Sequence, residues 1–139
     1  MGTTTAMSVR SLQYYVIALR WVSDLDFFNI ETDFLHKLLN DYQVYLCDKT
    51  RLEKFKLTRN NLLKLEQDKN TAESLLTKQL KVVELMAEDI VPEKADDLTA
   101  NQVQLEYLMA DITNEFRIVK KELFALIENI MRENKYNLN

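Results

Sequence analysis

Glycine and proline are all but missing from this chain: Gly2 and Pro92 are the only two in 139 residues. Between them lie about ninety residues in which nothing compels the backbone to turn, so the chain is limited to long, uninterrupted elements. Apolar spacing says which kind. Tyr14, Ala18, Trp21, Leu25, Phe28, Thr32, Leu35, Leu39, Tyr42 and Leu46 recur at alternating steps of four and three, with Thr32 the one polar interruption. That is a helical seam held over several heptads.

Helix boundaries follow from caps and breakers. Ser8 opens a first helix. Thr50-Arg51-Leu52-Glu53 has the form of a capping box, in which Thr50 and Glu53 satisfy each other's backbone amides, and predicts the start of a second helix at residue 50. The turn Cys47-Asp48-Lys49 is then short enough to make the two helices antiparallel. Pro92 removes an amide hydrogen and pushes Val91 out of the helical region, so the second helix ends near residue 90. Thr99 and Gln102 form a second box, with Asp96 and Asp97 as competing caps, and a third helix is expected over about 97–136.

The third helix carries the seam Leu98, Gln102, Leu105, Met109, Ile112, Phe116, Val119, Leu123, Leu126, Ile130. The second carries Phe55, Thr58, Leu62, Leu65, Lys69, Ala72, Leu76, Gln79, Val83, Met86, Ile90, which is more polar at its centre. The expected fold is all-α: three long antiparallel helices (8–46, 50–90, 97–136) in an up-down-up, coiled-coil-like bundle. Each would be roughly 60 Å long at 1.5 Å per residue. An alternative of four helices, with the second split near residue 70, rests on the cap-like Asn70-Thr71-Ala72-Glu73. Residues 1–7 read as a disordered tail, with Met7 an alternative start, and 8–139 as a single domain.

Composition excludes several classes of function. A formal net charge of -4 and no basic run longer than Lys120-Lys121 argue against nucleic-acid and anionic-membrane partners. The apolar run Tyr14–Leu19 stops at Arg20, too short to span a bilayer, and lacks the cleavage site of a signal peptide. Cys47 is the only cysteine, which points to a reducing compartment, the cytoplasm. His36 lies three residues after Asp33, a spacing seen in di-iron bundles, yet it is the only histidine and no second unit exists. It is expected on a solvated helix surface. Cys47 and His36 are too far apart to form a nucleophile–base pair. No glycine-rich loop cradles phosphate. The expectation is therefore a non-enzyme with no cofactor, no metal and no catalytic residues.

Two features go beyond a plain bundle. From Leu12 to Val22 only Gln13 and Arg20 are polar, and eight of the thirteen aromatic residues fall between Tyr14 and Tyr45. One buried face cannot absorb so much apolar surface. Tyr15, Ile17, Leu19, Trp21, Val22 and Phe27 are accordingly expected to form an interface, with a helical protein partner or with other copies in a homo-oligomer. The second feature is a polar layer at mid-length, Glu31, Lys69 and Lys120, read as a device that sets register. The function expected is a structural or adaptor protein that binds protein through the aromatic-rich face of helix one. The alternative is a regulatory bundle that binds a small molecule or metal in the polar layer.

Overall fold

The computed structural model describes residues 8–46, 48–88, 90, 92 and 95–137, and within them the chain is all-α. It forms α1 (Val9–Tyr42), a 3-10 turn (Gln43–Tyr45), α2 (Lys49–Ala87) and α3 (Ala95–Asn137). Cys47 and the expected tail at 1–7 lie outside the described residues. The helix α2 is continuous through residues 66–74, so the four-helix alternative is not adopted. Without glycine or proline in that stretch, the Asn70 cap has nothing to break the helix for it.

The helix ends show where local chemistry won. Ser8 caps α1, its hydroxyl accepting the Ser11 amide at 3.1 Å. At the other end the Leu46 amide donates to the Gln43 carbonyl at 3.2 Å, the tightening expected where no glycine is on hand to terminate a helix. For α2 the expected Thr50 box does not form. Asp48 is the cap: its Oδ1 accepts the Arg51 amide at 2.8 Å, and Thr50 lies inside the first turn. A carboxylate answers the positive end of the helix dipole as a hydroxyl cannot, and Asp48 Oδ2 also lies 3.6 Å from Arg51 Nε. Replacing Asp48 with Ala should cost about 1 kcal/mol, read as a shift in urea midpoint, whereas Thr50→Ala should be nearly silent.

At the start of α3, Thr99 and Gln102 are likewise interior to the helix, which opens at Ala95 with Asp96 and Asp97 in its first turn. The Thr99 hydroxyl is instead 3.2 Å from that of Tyr14. Residues 93 and 94, in the expected polar connection, lie outside the described residues.

The chain divides into two compact units, each containing a section of all three helices. The first comprises Met1–Asp26 and Asp68–Asp111, the second Phe27–Gln67 and Ile112–Asn139. Within the second unit, Arg51 Nη2 donates to Asn129 Oδ1 at 2.9 Å and pairs with Glu133, while Asn61 meets Glu122 and Lys64 meets Glu115. Rising numbers on α2 meet falling numbers on α3, so these two run antiparallel. Phe28 with Phe116 and Glu31 with Lys120 rise together, so α1 and α3 run parallel. His36 meets Glu66 across α1 and α2, which are antiparallel through their short turn. In the first unit, Tyr14 meets Thr99 and Gln79 meets Gln102, which ties α1 and α2 each to α3.

The heptad seams form the core. All ten α3 seam positions are buried, and on α2 every seam position from Phe55 to Met86 is buried. Ile90 is the exception at 62% exposed, because α2 ends at Ala87 and Ile90 falls in the turn beyond it. On α1 the six positions Ala18, Leu25, Phe28, Thr32, Leu35 and Leu39 are buried; Tyr14, Trp21, Tyr42 and Leu46 are half-buried. Thr32 tolerates burial by donating its hydroxyl to the Asn29 carbonyl at 3.2 Å.

Candidate interaction face on helix α1

A bundle helix ordinarily sets apolar residues against the core and polar residues against water. Helix α1 departs from this. In the first unit Val9, Leu12, Val16 and Leu19 are exposed, at steps of three, four and three; in the second, Phe27, Ile30 and Phe34 are exposed, at steps of three and four. At 100° per residue the four of the first unit fall within an arc of about 80°, opposite the buried Ala18 and Leu25, and the three of the second within about 60°, opposite the buried Thr32. Val16 is 65% exposed and Ile30 69%.

The other helices lack such a stripe. Exposed apolar residues on α2 (Leu52, Leu57, Leu63, Val82) spread over about 140° of the helix, and those on α3 spread as widely. Isolated exposed apolar side chains are ordinary on soluble proteins. Rows of four and of three along one helix face are less usual, and large contiguous apolar patches are the pattern that interaction sites show.

The edges of the stripe are charged. Arg20 and Asp24 flank it on one side, Asp26 and Asp33 on the other, and Ser23 interrupts it midway.

Of the residues expected at an interface, Leu19 and Phe27 lie on this stripe. Tyr15, Ile17, Trp21 and Val22 are half-buried. Tyr15 packs with Tyr14 against the buried Val83, Met86 and Leu98 of the first unit. Phe27 also turns one edge inward, its ring centroid 6.4 Å from that of Phe116 and 5.9 Å from that of Phe28. Val9, Leu12, Val16, Ile30 and Phe34, exposed on the same helix, were not among the six residues named for an interface. Their signal was present as a second run of three- and four-residue steps, half a turn out of phase with the seam.

The expected polar layer is met in part. Glu31 and Lys120 pair in the second unit, with Lys120 Nζ 3.4 Å from Glu31 Oε1 and 5.7 Å from the ring centroids of both Phe116 and Phe124. An ammonium over two aromatic faces gains about 0.5–1 kcal/mol per ring at exposed sites, while a half-exposed ion pair contributes about 1 kcal/mol or less. Lys69 is buried on the α2 seam and belongs to the first unit. His36, expected in solvent, is half-buried, and its Nε2 lies 2.5 Å from Glu66 Oε1. Cross-helix pairing, invisible to spacing along a single helix, draws it in.

A cleft of about 340 Å³ beside Arg51, Thr58 and Leu126 opens in the second unit, and one of about 410 Å³ beside Met86 and Leu98 opens in the first. Glu31, Lys69 and Lys120 line neither. Among the described residues no three His, Cys, Asp or Glu side chains are placed to hold a metal ion, and no helix is long and apolar enough to cross a membrane.

Compared with known proteins, the chain matches no family model, no curated protein and no solved structure.

Proposed function

We propose that this chain is a non-enzymatic structural or adaptor protein of the cytoplasm that binds protein, either a helical partner or another copy of itself, through the outer face of α1. The observation that carries this reading is the exposed apolar row Val9, Leu12, Val16 and Leu19 in the first unit, opposite its core, with the row Phe27, Ile30 and Phe34 placed likewise in the second. A partner helix laying its own apolar face along such a line is a common mode of helix recognition, read at steps of three and four. The polar layer is less well suited to be a ligand site, because Glu31 and Lys120 satisfy each other. That pair serves register and orientation.

The double variant Val16→Glu/Ile30→Glu tests this function. Both positions are exposed, so helicity and thermal midpoint should stay close to those of the parent. Loss of two aliphatic contacts and burial of two carboxylates should weaken association through this face by at least about 100-fold. Mass in solution and the proteins recovered by in-cell cross-linking are the readouts. If both are the same for parent and variant, α1 is not a binding face and the proposal is wrong.

A further inference from the structure

We propose that the cleft between the end of α2 and the start of α3 is a second protein-binding site, and that it takes an apolar side chain of a partner protein flanked by lysine or arginine. This site is separate from the α1 face and does not depend on it.

The cleft is built within the first unit alone. Val82, Leu85 and Met86 of α2, Pro92 of the turn and Leu98 of α3 give it an apolar lining, and its volume is about 410 Å³. That lies in the range of roughly 300–1,000 Å³ over which clefts hold ligands. Its floor is fixed, because Met86 and Leu98 are buried and pack with Val83 and with Tyr14 and Tyr15 of α1. The turn beside it is tied back onto α2, the Ile90 amide donating to the Leu85 carbonyl at 2.9 Å. Among the described residues α1 contributes nothing to the lining.

The rim decides what kind of occupant fits. Val82, Pro92, Asp97, Ala100 and Asn101 are exposed, so the cleft is open to water along its edges. A small molecule lying in it would keep much of its surface wet, whereas small-molecule sites bury about 70–90% of what they hold. A side chain that enters from a partner protein is covered by the partner's own backbone. Met86 suits such a guest, since an unbranched thioether adapts to aliphatic and aromatic groups alike.

Charge selects the partner. From Val82 to Asn101, the stretch that holds the whole lining, Glu84, Glu88, Asp89, Glu93, Asp96 and Asp97 are acidic and Lys94 alone is basic. Asp97 lines the cleft, and none of Glu84, Glu88, Asp96 and Asp97 is ion-paired among the described residues. Lys78 and Lys81 come before this stretch on α2. The same sign holds over the unit, whose segments carry twelve acidic and six basic residues, against ten acidic and twelve basic in the second. A field of this sign draws cations to the cleft and repels carboxylates and phosphates. A basic segment with an apolar anchor therefore matches both the lining and the rim.

The test uses the full chain. A random heptapeptide library displayed on phage is selected on the parent, and the affinity of each retained peptide is read by fluorescence anisotropy. Retained peptides should carry Leu, Met or Phe beside Lys or Arg. Their binding should weaken at least about tenfold with Ala100→Trp, which fills the cleft, and with Asn101→Lys, which sets a like charge in its wall. Both positions are exposed, so the thermal midpoint should stay close to that of the parent. Raising salt from about 0.05 M to about 0.5 M should weaken binding severalfold. The variant Val16→Glu/Ile30→Glu should bind the peptides as the parent does, which keeps this site distinguishable from the α1 face. Retention of no peptide, or of peptides without basic residues, would overturn the proposal. So would equal binding to the parent, Ala100→Trp and Asn101→Lys. Phenethylamine binding as tightly as the peptides would also overturn it, and would assign the cleft to a small apolar amine.

Discussion

Leu62→Ala should destabilise the fold by about 2–5 kcal/mol, the largest effect expected from a single substitution that removes only methyl and methylene groups. Leu62 is fully buried on the α2 seam of the second unit, between the Asn61–Glu122 and Lys64–Glu115 contacts that tie α2 to α3. Those contacts hold the helices at their present spacing on either side of the cavity, so the neighbouring side chains have little freedom to collapse into it. Part of the cost is the lost burial of the side chain, and the rest is the void, because packed interiors relax only in part. A fall in thermal midpoint of roughly 10 °C is expected for a chain of this length. Leu63→Ala, one residue along on the exposed side, is the control and should change the midpoint by a degree or two. If the two substitutions had equal effects, the assignment of the α2 core face would be wrong.

The second large effect concerns a polar pair in the first unit. Gln79 and Gln102 are both buried, on the seams of α2 and α3. Gln79 Nε2 donates to Gln102 Oε1 at 3.3 Å and to the Leu98 carbonyl at 3.3 Å. Gln79 Oε1 and Gln102 Nε2 meet no hydrogen-bonding partner among the described residues. Two long bonds are thus set against two orphaned amide atoms, and each orphan carries a desolvation penalty of about 1–3 kcal/mol.

Truncating one member is therefore expected to differ in sign from replacing both. Gln79→Leu alone strands the whole Gln102 amide and should lower stability by about 1–3 kcal/mol. Gln79→Leu/Gln102→Leu removes both orphans and adds apolar contact, and should be at least as stable as the parent. Chemical denaturation of the parent, both singles and the double gives the coupling directly, because the two residues touch and their effects cannot add. A double variant less stable than either single would show that the pair contributes net stability. A double variant at least as stable as the parent would leave register as what the pair serves, as a buried polar residue in a helical seam can.

Much of this architecture was legible in the spacing of residues along the chain. Steps of three and four depend only on the helix repeat, so the seams of α2 and α3 could be read residue by residue from Phe55 to Met86 and from Leu98 to Ile130. The absence of glycine and proline between Gly2 and Pro92 favoured long elements in the same local way, although α1 ends at Tyr42 and α2 begins at Lys49 inside that stretch. Caps were less legible. Asp48 and Thr50 both have the chemistry to cap α2, and the choice fell to Asp48, whose carboxylate meets the helix dipole and lies beside Arg51.

The exposed apolar residues of α1 were half legible. Composition showed that residues 12–22 hold more apolar surface than one seam can bury, but it could not show which side chains the other helices would cover. Tyr15 and Trp21 proved half-buried, while Val16 and Ile30 were left in water. His36 was misplaced for the same reason, since Glu66 lies thirty residues away along the chain and 2.5 Å away in space. Within one helix, periodicity and capping are set by neighbours in sequence, and the chain alone therefore defined three long helices, their apolar seams and an excess of apolar surface on the first. Which residues meet across helices depends on the register and rotation at which those helices pack. Packing assigned Arg51 its Glu133, Glu31 its lysine, and the apolar rows of α1 their exposure to solvent.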